Sequence, residues 1–217
     1  IGTFLVAVLI AIPAGILAAV RRGTWIDYTS TFAALGGMSI PSFWLAMMLI
    51  IYFAVENQWL PSSGYVPFSE DPVRNLMGMI LPCVAAGLRE SAVLMRMLRS
   101  SLLDVVHMDF IRTAKAKGLN EVRTILGHAL RNAMVPVVTA SGLMVASLLG
   151  GLVITESIFS IPGFGRLIIE SVFKRDYVTV QGAILVAAVL VVLVNLIVDI
   201  LYAVIDPRIK AGKGASA

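Results

Sequence analysis

The sequence predicts an all-α membrane protein in which a bundle of helices crosses a lipid bilayer. Hydrophobic residues make up 59% of the 217-residue chain and charged residues only 14%, against about 25% charged residues in soluble domains. Five stretches are apolar over the roughly 20 residues that a helix needs to cross a hydrocarbon core about 30 Å thick. The net charge of +4 comes from basic residues in alternate loops. This distribution follows membrane sidedness and argues against nucleic-acid binding.

The predicted spans cover residues 1–20, 31–55, 76–95, 134–155 and 177–198. The first span is uncharged and stops at Arg21. The third contains Arg89 and Glu90, and such charges are costly at membrane depth unless they have partners. The apolar pattern of the last span continues past Asp199. Because the chain opens inside a hydrophobic stretch, we expect one more span upstream in the full-length protein.

The loops predict the orientation of the spans, because basic residues mark the cytoplasmic side. Arg21 and Arg22 place the first loop inside, and seven basic residues place the loop of residues 96–131 inside. The loop of residues 56–75 has one basic and three acidic residues and is predicted to be external. Twelve of the 17 Lys and Arg residues then lie on the inner side. The first predicted span therefore runs inward.

Close helix packing in lipid relies on small residues, because lipid chains are as apolar as the helices themselves. Small residues recur every four positions in the fourth span, at Gly142, Ala146 and Gly150. The first span has the same spacing at Ala7, Ala11, Gly15 and Ala19. Such faces serve either bundle packing or the border of a solute pathway. Pro41 predicts a kink in the second span, as a static bend or a gate, and Asp199 either pairs within the bundle or serves a translocation path.

The basic loop of residues 96–131 is the most informative part of the chain. Residues 109–117 lack Gly and Pro and predict a helix, Gly118 predicts its stop, and Asn120 predicts the cap of a second helix. Ala114 and Gly118 share a face that a partner surface can approach closely. Charge flanks that face at Arg112, Lys115 and Lys117. The positive-inside effect explains the charge, but it does not explain the helix–turn–helix pattern.

Two segments of this loop resemble the cytoplasmic loop of bacterial ABC importer permeases: Arg112-Thr-Ala-x-x-x-Gly118 and His128-Ala-Leu-Arg-Asn-Ala-Met-Val-Pro136. More narrowly, the chain resembles the first permease of the dipeptide, oligopeptide and nickel group over nearly its whole length. Further motifs that carry the resemblance are Ser39-Ile-Pro-Ser-Phe-Trp44, Leu60-Pro-Ser-Ser-Gly64, Ile161-Pro-Gly-Phe-Gly-Arg166, Asn195-Leu-Ile-Val-Asp199 and Asp206-Pro-Arg208. The wider importer family opens the loop motif with Glu-Ala-Ala. Here Arg112-Thr113-Ala114 replaces it, so contacts made by that glutamate do not carry over.

The resemblance implies the fold of a type I ABC importer permease, with five spans present here and six in the full chain. Residues 1–217 would form its transmembrane domain, and residues 109–122 its cytoplasmic coupling-helix region. It implies that two cytoplasmic ATPases dock on Arg112, Thr113, Ala114, Lys115, Ala116, Lys117, Gly118 and Leu119. A second, related permease and an external solute-binding protein would complete the complex in the bacterial cytoplasmic (inner) membrane. The implied cargo is a di- or oligopeptide or a related small solute.

The sequence offers no site for ATP, because it lacks the phosphate-binding pattern Gly-x-x-x-x-Gly-Lys-Ser/Thr. The segment Gly212-Lys-Gly has neither the required spacing nor the hydroxyl. We therefore expect ATP and Mg²⁺ in partner subunits, and no enzyme or metal site in this chain. Two alternatives remain. An ion-coupled secondary transporter would use Arg89, Glu90 or Asp199, and an intramembrane enzyme would need a nucleophile–base set that is not evident here.

The predicted orientation can be tested by cysteine labelling in intact cells. Cys83, the one native cysteine, is first replaced by alanine. A membrane-impermeant maleimide added outside should then label the Ser63→Cys variant and leave the Asn120→Cys variant unlabelled until the cells are opened. The opposite pattern would overturn the orientation.

Overall fold

The structure, a computed structural model, describes residues 1–149 and 152–205, and the regular elements among them are helices. Helices α1 to α4 are Gly2–Val20, Trp25–Ser39, Ser42–Leu49 and Pro72–Val106, and α3 continues as a π-helical stretch over Ile50–Glu56. Helices α5 to α10 are Asp109–Ala116, Glu121–Thr124, Leu130–Leu149, Val153–Ile158, Phe164–Phe173 and Tyr177–Ile205. A π-helical stretch over Ile125–Ala129 joins α6 to α7.

The predicted spans correspond to four helical segments that are long and apolar enough to cross a membrane and to one bent pair of helices. The segments are Gly2–Val20, Pro72–Val106, Val122–Leu148 and Tyr177–Val198, and the pair is α2 with α3. The fourth span was predicted to reach residue 155. That prediction was wrong at its outer end, because α7 ends at Leu149 and the separate helix α8 begins at Val153.

The second predicted span is broken rather than kinked, because α2 and α3 meet at an angle of 99°. Pro41 has no backbone N–H to continue the helix, and the residue before it, Ile40, is extended (φ −77°, ψ 124°), as a residue before proline tends to be. The Ser39 hydroxyl donates to the carbonyl of Leu35 at 2.9 Å. It therefore satisfies one carbonyl near the end of α2. A continuous span over residues 31–55 is not what the chain forms.

Small residues on α1 allow close packing against α4. Ala7 and Ala11 are almost completely buried, and a Cβ added at Gly15 would lie 3.1 Å from the Cβ of Leu98. The periodic small residues of the first span therefore pack the bundle. Such close approach supplies the van der Waals contact on which helix association in lipid relies.

Helices α1 and α4 run in the same direction. Gly87 packs against Val6 near the start of α1, and Leu98 packs against Gly15 further along it. Parallel first and third spans are what the predicted alternation of loops requires. At 35 residues, α4 is about 52 Å long, so it extends well beyond a hydrocarbon core of about 30 Å. It also contacts α2, α3 and α7, which makes it the central helix of the bundle.

A buried ion pair fastens α2 to α4. The Asp27 carboxylate accepts hydrogen bonds from Arg99 Nε at 2.6 Å and from Arg99 Nη2 at 2.7 Å. It also accepts one from the Gly23 amide at 3.0 Å, and Asp27 is only 3% exposed. The two-point geometry suits a guanidinium and a carboxylate. Neither partner carries a pairing signal in the sequence.

Two carboxylates organise the starts of α8, α9 and α10. Glu156 of α8 accepts hydrogen bonds from the backbone amide of Arg166, in the first turn of α9, at 2.8 Å and from that of Leu152 at 3.3 Å. Asp176 precedes α10 and accepts hydrogen bonds from both the amide and the hydroxyl of Thr179. These bonds hold the pKa of Asp176 below its usual value, and the bond from the Thr179 hydroxyl contributes most. A carboxylate placed this way satisfies amides that have no partner within the helix.

Removing one partner of the buried ion pair should destabilise the protein. The Asp27→Ala variant leaves the Arg99 guanidinium, whose side chain is 26% exposed, without its carboxylate, which should cost about 1.5–3 kcal/mol. Thermal unfolding of the purified complex measures the loss. The matched control is Asp109→Ala, because the side chain of Asp109 is 97% exposed and 3.6 Å from Arg112, and exposed pairs contribute little. Equal melting temperatures for the two variants would contradict a structural role for the buried pair.

Candidate functional site

Helix α5 lies against the bundle along one face. The chain leaves α4 through His107 and Met108, and the amide of Ile111 donates to the Met108 carbonyl at 3.0 Å. Ile111 is 1% exposed and belongs to the same core cluster as Val105 of α4. Ala114, one turn further along α5, is 8% exposed. This short helix is therefore anchored to the end of α4 by an apolar face.

The turn after α5 has the predicted chemistry. Gly118 adopts a left-handed backbone with φ +82°, a conformation that glycine adopts without steric cost. The side chain of Asn120 accepts a hydrogen bond from the Arg123 amide at 2.9 Å and so caps α6. The hydroxyl of Thr124, which is completely buried, donates to the Asn120 carbonyl at 3.0 Å. The predicted helix, stop and second cap are confirmed.

The outward face of the loop is part charged and part apolar. It carries Arg112, Thr113, Ala116, Lys117 and Gly118, all exposed. Met108, Phe110 and Val122 add exposed apolar surface. The ion pair between Arg112 and Asp109 is 3.6 Å long and exposed, so it leaves the guanidinium available to another carboxylate. A basic surface with apolar side chains between the charges suits contact with a protein.

Two of the coupling residues predicted from the sequence are less exposed than expected. Ala114 was expected to offer a partner a small surface, but it is buried within the chain, so that expectation was wrong. Leu119 is half-buried, and its amide donates to the Ala114 carbonyl at 3.4 Å. The helical spacing of Ile111 and Ala114 was the available signal for a buried face. The side chain of Lys115 lies outside the described residues.

The loop continues into the membrane without a non-helical break. Helix α6 passes through the π-helical stretch Ile125–Ala129 directly into α7. Ala129 and Ala133 along this path are completely buried in the core cluster that also contains Ile111. The loop is therefore joined both to the end of α4, through Ile111, and to the start of α7, through continuous helix.

The residues predicted for pathway or packing are distributed over several environments. A Cβ added at Gly142 would clash with Val198 of α10, and Ala146 is 6% exposed. This face of α7 therefore packs within the chain, as the bundle-packing alternative predicted, and its place on a solute pathway stays a prediction. Pro41 is exposed at the break between α2 and α3. Gly150 and the side chain of Asp199 lie outside the described residues.

An apolar cavity of about 430 Å³ lies between α1, α4, α7 and α10. Among its described lining residues Ser141 contributes a hydroxyl and the others are apolar. Gly142 and Val198 border it where α7 meets α10. Such a lining offers little to a polar solute. Within residues 1–149 and 152–205, no cluster of three His, Cys, Asp or Glu side chains is placed to hold a metal ion.

Comparisons with known proteins agree with this architecture. The family described as "Binding-protein-dependent transport system inner membrane component" matches residues 11–211. The dipeptide transport system permease protein DppB of Escherichia coli (strain K12) is 46% identical over 230 residues, which cover 95% of this chain and 68% of that protein. A putative peptide transport system permease protein of Brucella abortus (strain 2308) is 43% identical over 95% of this chain and 66% of its own length. This chain thus spans about two thirds of each relative.

A solved structure shares the fold. It is a chain of the MetNI methionine ABC transporter in an inward-facing conformation, with a TM-score of 0.74 over 94% of this chain and 89% of that chain. The sequence identity is 17%, so the likeness speaks for the fold alone.

The packing role of Gly142 predicts the effect of filling its space. The Gly142→Leu variant should lose about 1–3 kcal/mol, because overpacking forces α7 away from Val198. Thermal unfolding of the purified complex measures the loss. Gly182→Leu on α10 is the control, since an added Cβ there meets no atom within 4 Å. Equal stability of the two variants would show that the face of Gly142 is open.

Proposed function

This chain belongs to the family of binding-protein-dependent transport system inner membrane components, and we propose that it forms half of the path by which an ATP-driven importer carries di- or oligopeptides. Within the family it is a permease subunit with several membrane-spanning helices. The names of the relatives support a peptide cargo. The proposed location is the cytoplasmic membrane of a bacterium. The proposed complex contains a second permease, two cytoplasmic ATPases and an external solute-binding protein.

The observation that carries the proposal is the anchored helix–turn–helix of the loop. An importer driven by ATP must pass the movement of its ATPases into the membrane through a firm element. Helix α5 is anchored because Ile111 is buried in the core cluster. It also ends in an exposed turn at Gly118. The exposed surface of α5 is therefore available to an ATPase. Its buried face transmits movement of α5 to the membrane-spanning helices.

Each exposed side chain of the proposed docking surface has a separate task. Arg112 and Lys117 attract carboxylates on an ATPase, and such long side chains also adapt to a partner surface. Thr113 and Ala116 are small and allow close approach. Phe110 is exposed beside them and offers an apolar anchor of the kind that often dominates binding energy at interfaces. Ala114 and Leu119 act from the inner side by holding α5 in place.

The chemistry of ATP hydrolysis belongs to the partner subunits in this proposal. ATP and Mg²⁺ are bound there, and this chain converts the closure of the ATPases into movement of its helices. Ion-coupled transport is the competing mechanism. Depletion of cytoplasmic ATP, with the ion gradient held constant, should stop uptake if the proposal is correct. Continued uptake under those conditions would favour ion coupling.

The coupling role of the loop is best tested at Gly118. A Cβ at Gly118 meets no atom within 4 Å, so the Gly118→Trp variant adds bulk directly to the docking surface. Gly23, on the same predicted side, has nearly the same backbone (φ +76°) and the same open space. The Gly23→Trp variant therefore bears a similar backbone strain, roughly 1–2 kcal/mol, away from the loop. Gly118→Trp should abolish ATP-driven dipeptide uptake and ATPase co-purification, while Gly23→Trp keeps both.

Two outcomes would count against the proposal. If both variants fail equally, the loss comes from backbone strain and not from docking. If Gly118→Trp transports normally and still holds the ATPases, the energy enters the membrane elsewhere.

A further inference from the structure

Helix α4 carries a basic stripe on the face that the other described helices leave open. The stripe consists of Arg89, Val93, Arg96 and Ser100, which lie on one side of the helix at helical spacing and are all exposed. The opposite side of α4 is the buried side that meets α1 and α7. One helix thus has an apolar packing face and an exposed face with two guanidinium groups.

Arg89 lies deep in the membrane. It is ten residues from Arg99, or about 15 Å along the helix. It is fifteen residues from Arg74 at the other end, or about 22 Å. Its neighbour on α4, Gly87, packs against Val6 in the uncharged helix α1. The level of Arg89 is therefore near the middle of a hydrocarbon core about 30 Å thick.

The two arginines of the stripe have no acidic partner among the side chains that the structure describes. The buried pair of Asp27 uses Arg99, and the other ion pairs of the described residues lie at α5 and α9. Arg96 Nη1 donates only to the Met38 sulfur, at 3.5 Å. Glu90 follows Arg89 directly and points about 100° away from it on the helix.

Val93, Arg96 and Ser100 of the stripe border a groove between α4 and α2, and Arg89 lies about 10 Å further along α4. The groove has a volume of about 530 Å³, and Thr31 and Met38 form its wall on α2. Met38 lies immediately before the break at Ile40 and Pro41. The groove is therefore open to the surroundings, has a basic wall on α4 and lies next to the break between α2 and α3. Unpaired arginines at this depth face either water or a charged partner, because lipid solvates them poorly.

We propose that the basic stripe of α4 lines the water-filled solute path and that Arg89 and Arg96 attract the carboxylate of a solute passing along it. This inference rests on the proposed function, because a peptide carries such a carboxylate at its C-terminus. Guanidinium groups bind carboxylates through two parallel hydrogen bonds. Two arginines about 10 Å apart along the helix offer successive positions for the anion. Neither side chain is predicted to hold the solute tightly, since the groove remains open.

Thiol labelling tests this inference in the complete complex, with both permeases, the ATPases and the binding protein present. The native Cys83 is replaced by alanine, and Arg89→Cys, Arg96→Cys and Val189→Cys are made separately. Val189 is 51% exposed on the apolar helix α10 and serves as the control for a position without water. The probes are an anionic and a cationic methanethiosulfonate of similar size, which react with ionised thiols and therefore only in water.

Both arginine variants should react at least about tenfold faster than Val189→Cys, because thiolates form only where water reaches. In Arg89→Cys the anionic reagent should be favoured over the cationic one when each rate is divided by that reagent's rate with a free thiol in solution, because Arg96 remains. Adding Arg96→Gln to that variant should reduce the anionic preference severalfold. Labelling of both arginine variants as slow as that of Val189→Cys would overturn the aqueous path, and absence of anionic preference would overturn the attraction of carboxylates. Dipeptide uptake by the unlabelled parent tests the proposed function separately, so the two failures are distinguishable.

Discussion

Close approach between α1 and α4 is the contact on which the positions of the other helices depend. Lipid provides no strong hydrophobic drive for two apolar helices to associate, so van der Waals contact must hold them. Ala7, Ala11 and Gly15 keep the surface of α1 low enough for that contact. With its buried side fixed in this way, α4 holds α2 through Arg99 and Asp27 and also packs against α7. Its remaining face stays open, and that face carries the basic stripe.

At the predicted cytoplasmic end, the packing supports the proposed coupling role of the loop. Ile111 seats α5 against the core, and the chain then returns through α6 and the π-helical stretch into α7. The two faces of α5 differ in role. Its apolar face packs against the core, and its charged face remains exposed. A force on the exposed side therefore reaches two spans at once. A flexible loop with the same charge would bend under that force and transmit little of it to the spans.

Local chemistry was predictable from the sequence, whereas relations between distant residues were not. Gly118 and Asn120 act within their own turn, so their roles followed from residue type. Pro41 indicated a break but not its angle, which depends on contacts beyond the turn. The small face of Gly142 fitted packing or a pathway, and the sequence could not name Val198 as the residue that packs against it. The pair of Asp27 and Arg99 joins residues 72 positions apart, a distance at which one sequence gives no pairing signal.

The most direct test of the account is a photocrosslinking measurement on the assembled complex. A benzophenone amino acid is placed at Lys117, which is exposed beside the Gly118 turn, and for comparison at Arg74, which is exposed near the other end of α4. Irradiation followed by mass spectrometry identifies the captured partner. Position 117 should crosslink to an ATPase subunit, and position 74 should not. Capture of the ATPase from position 74, or none from position 117 in a complex that is active in transport, would contradict the account.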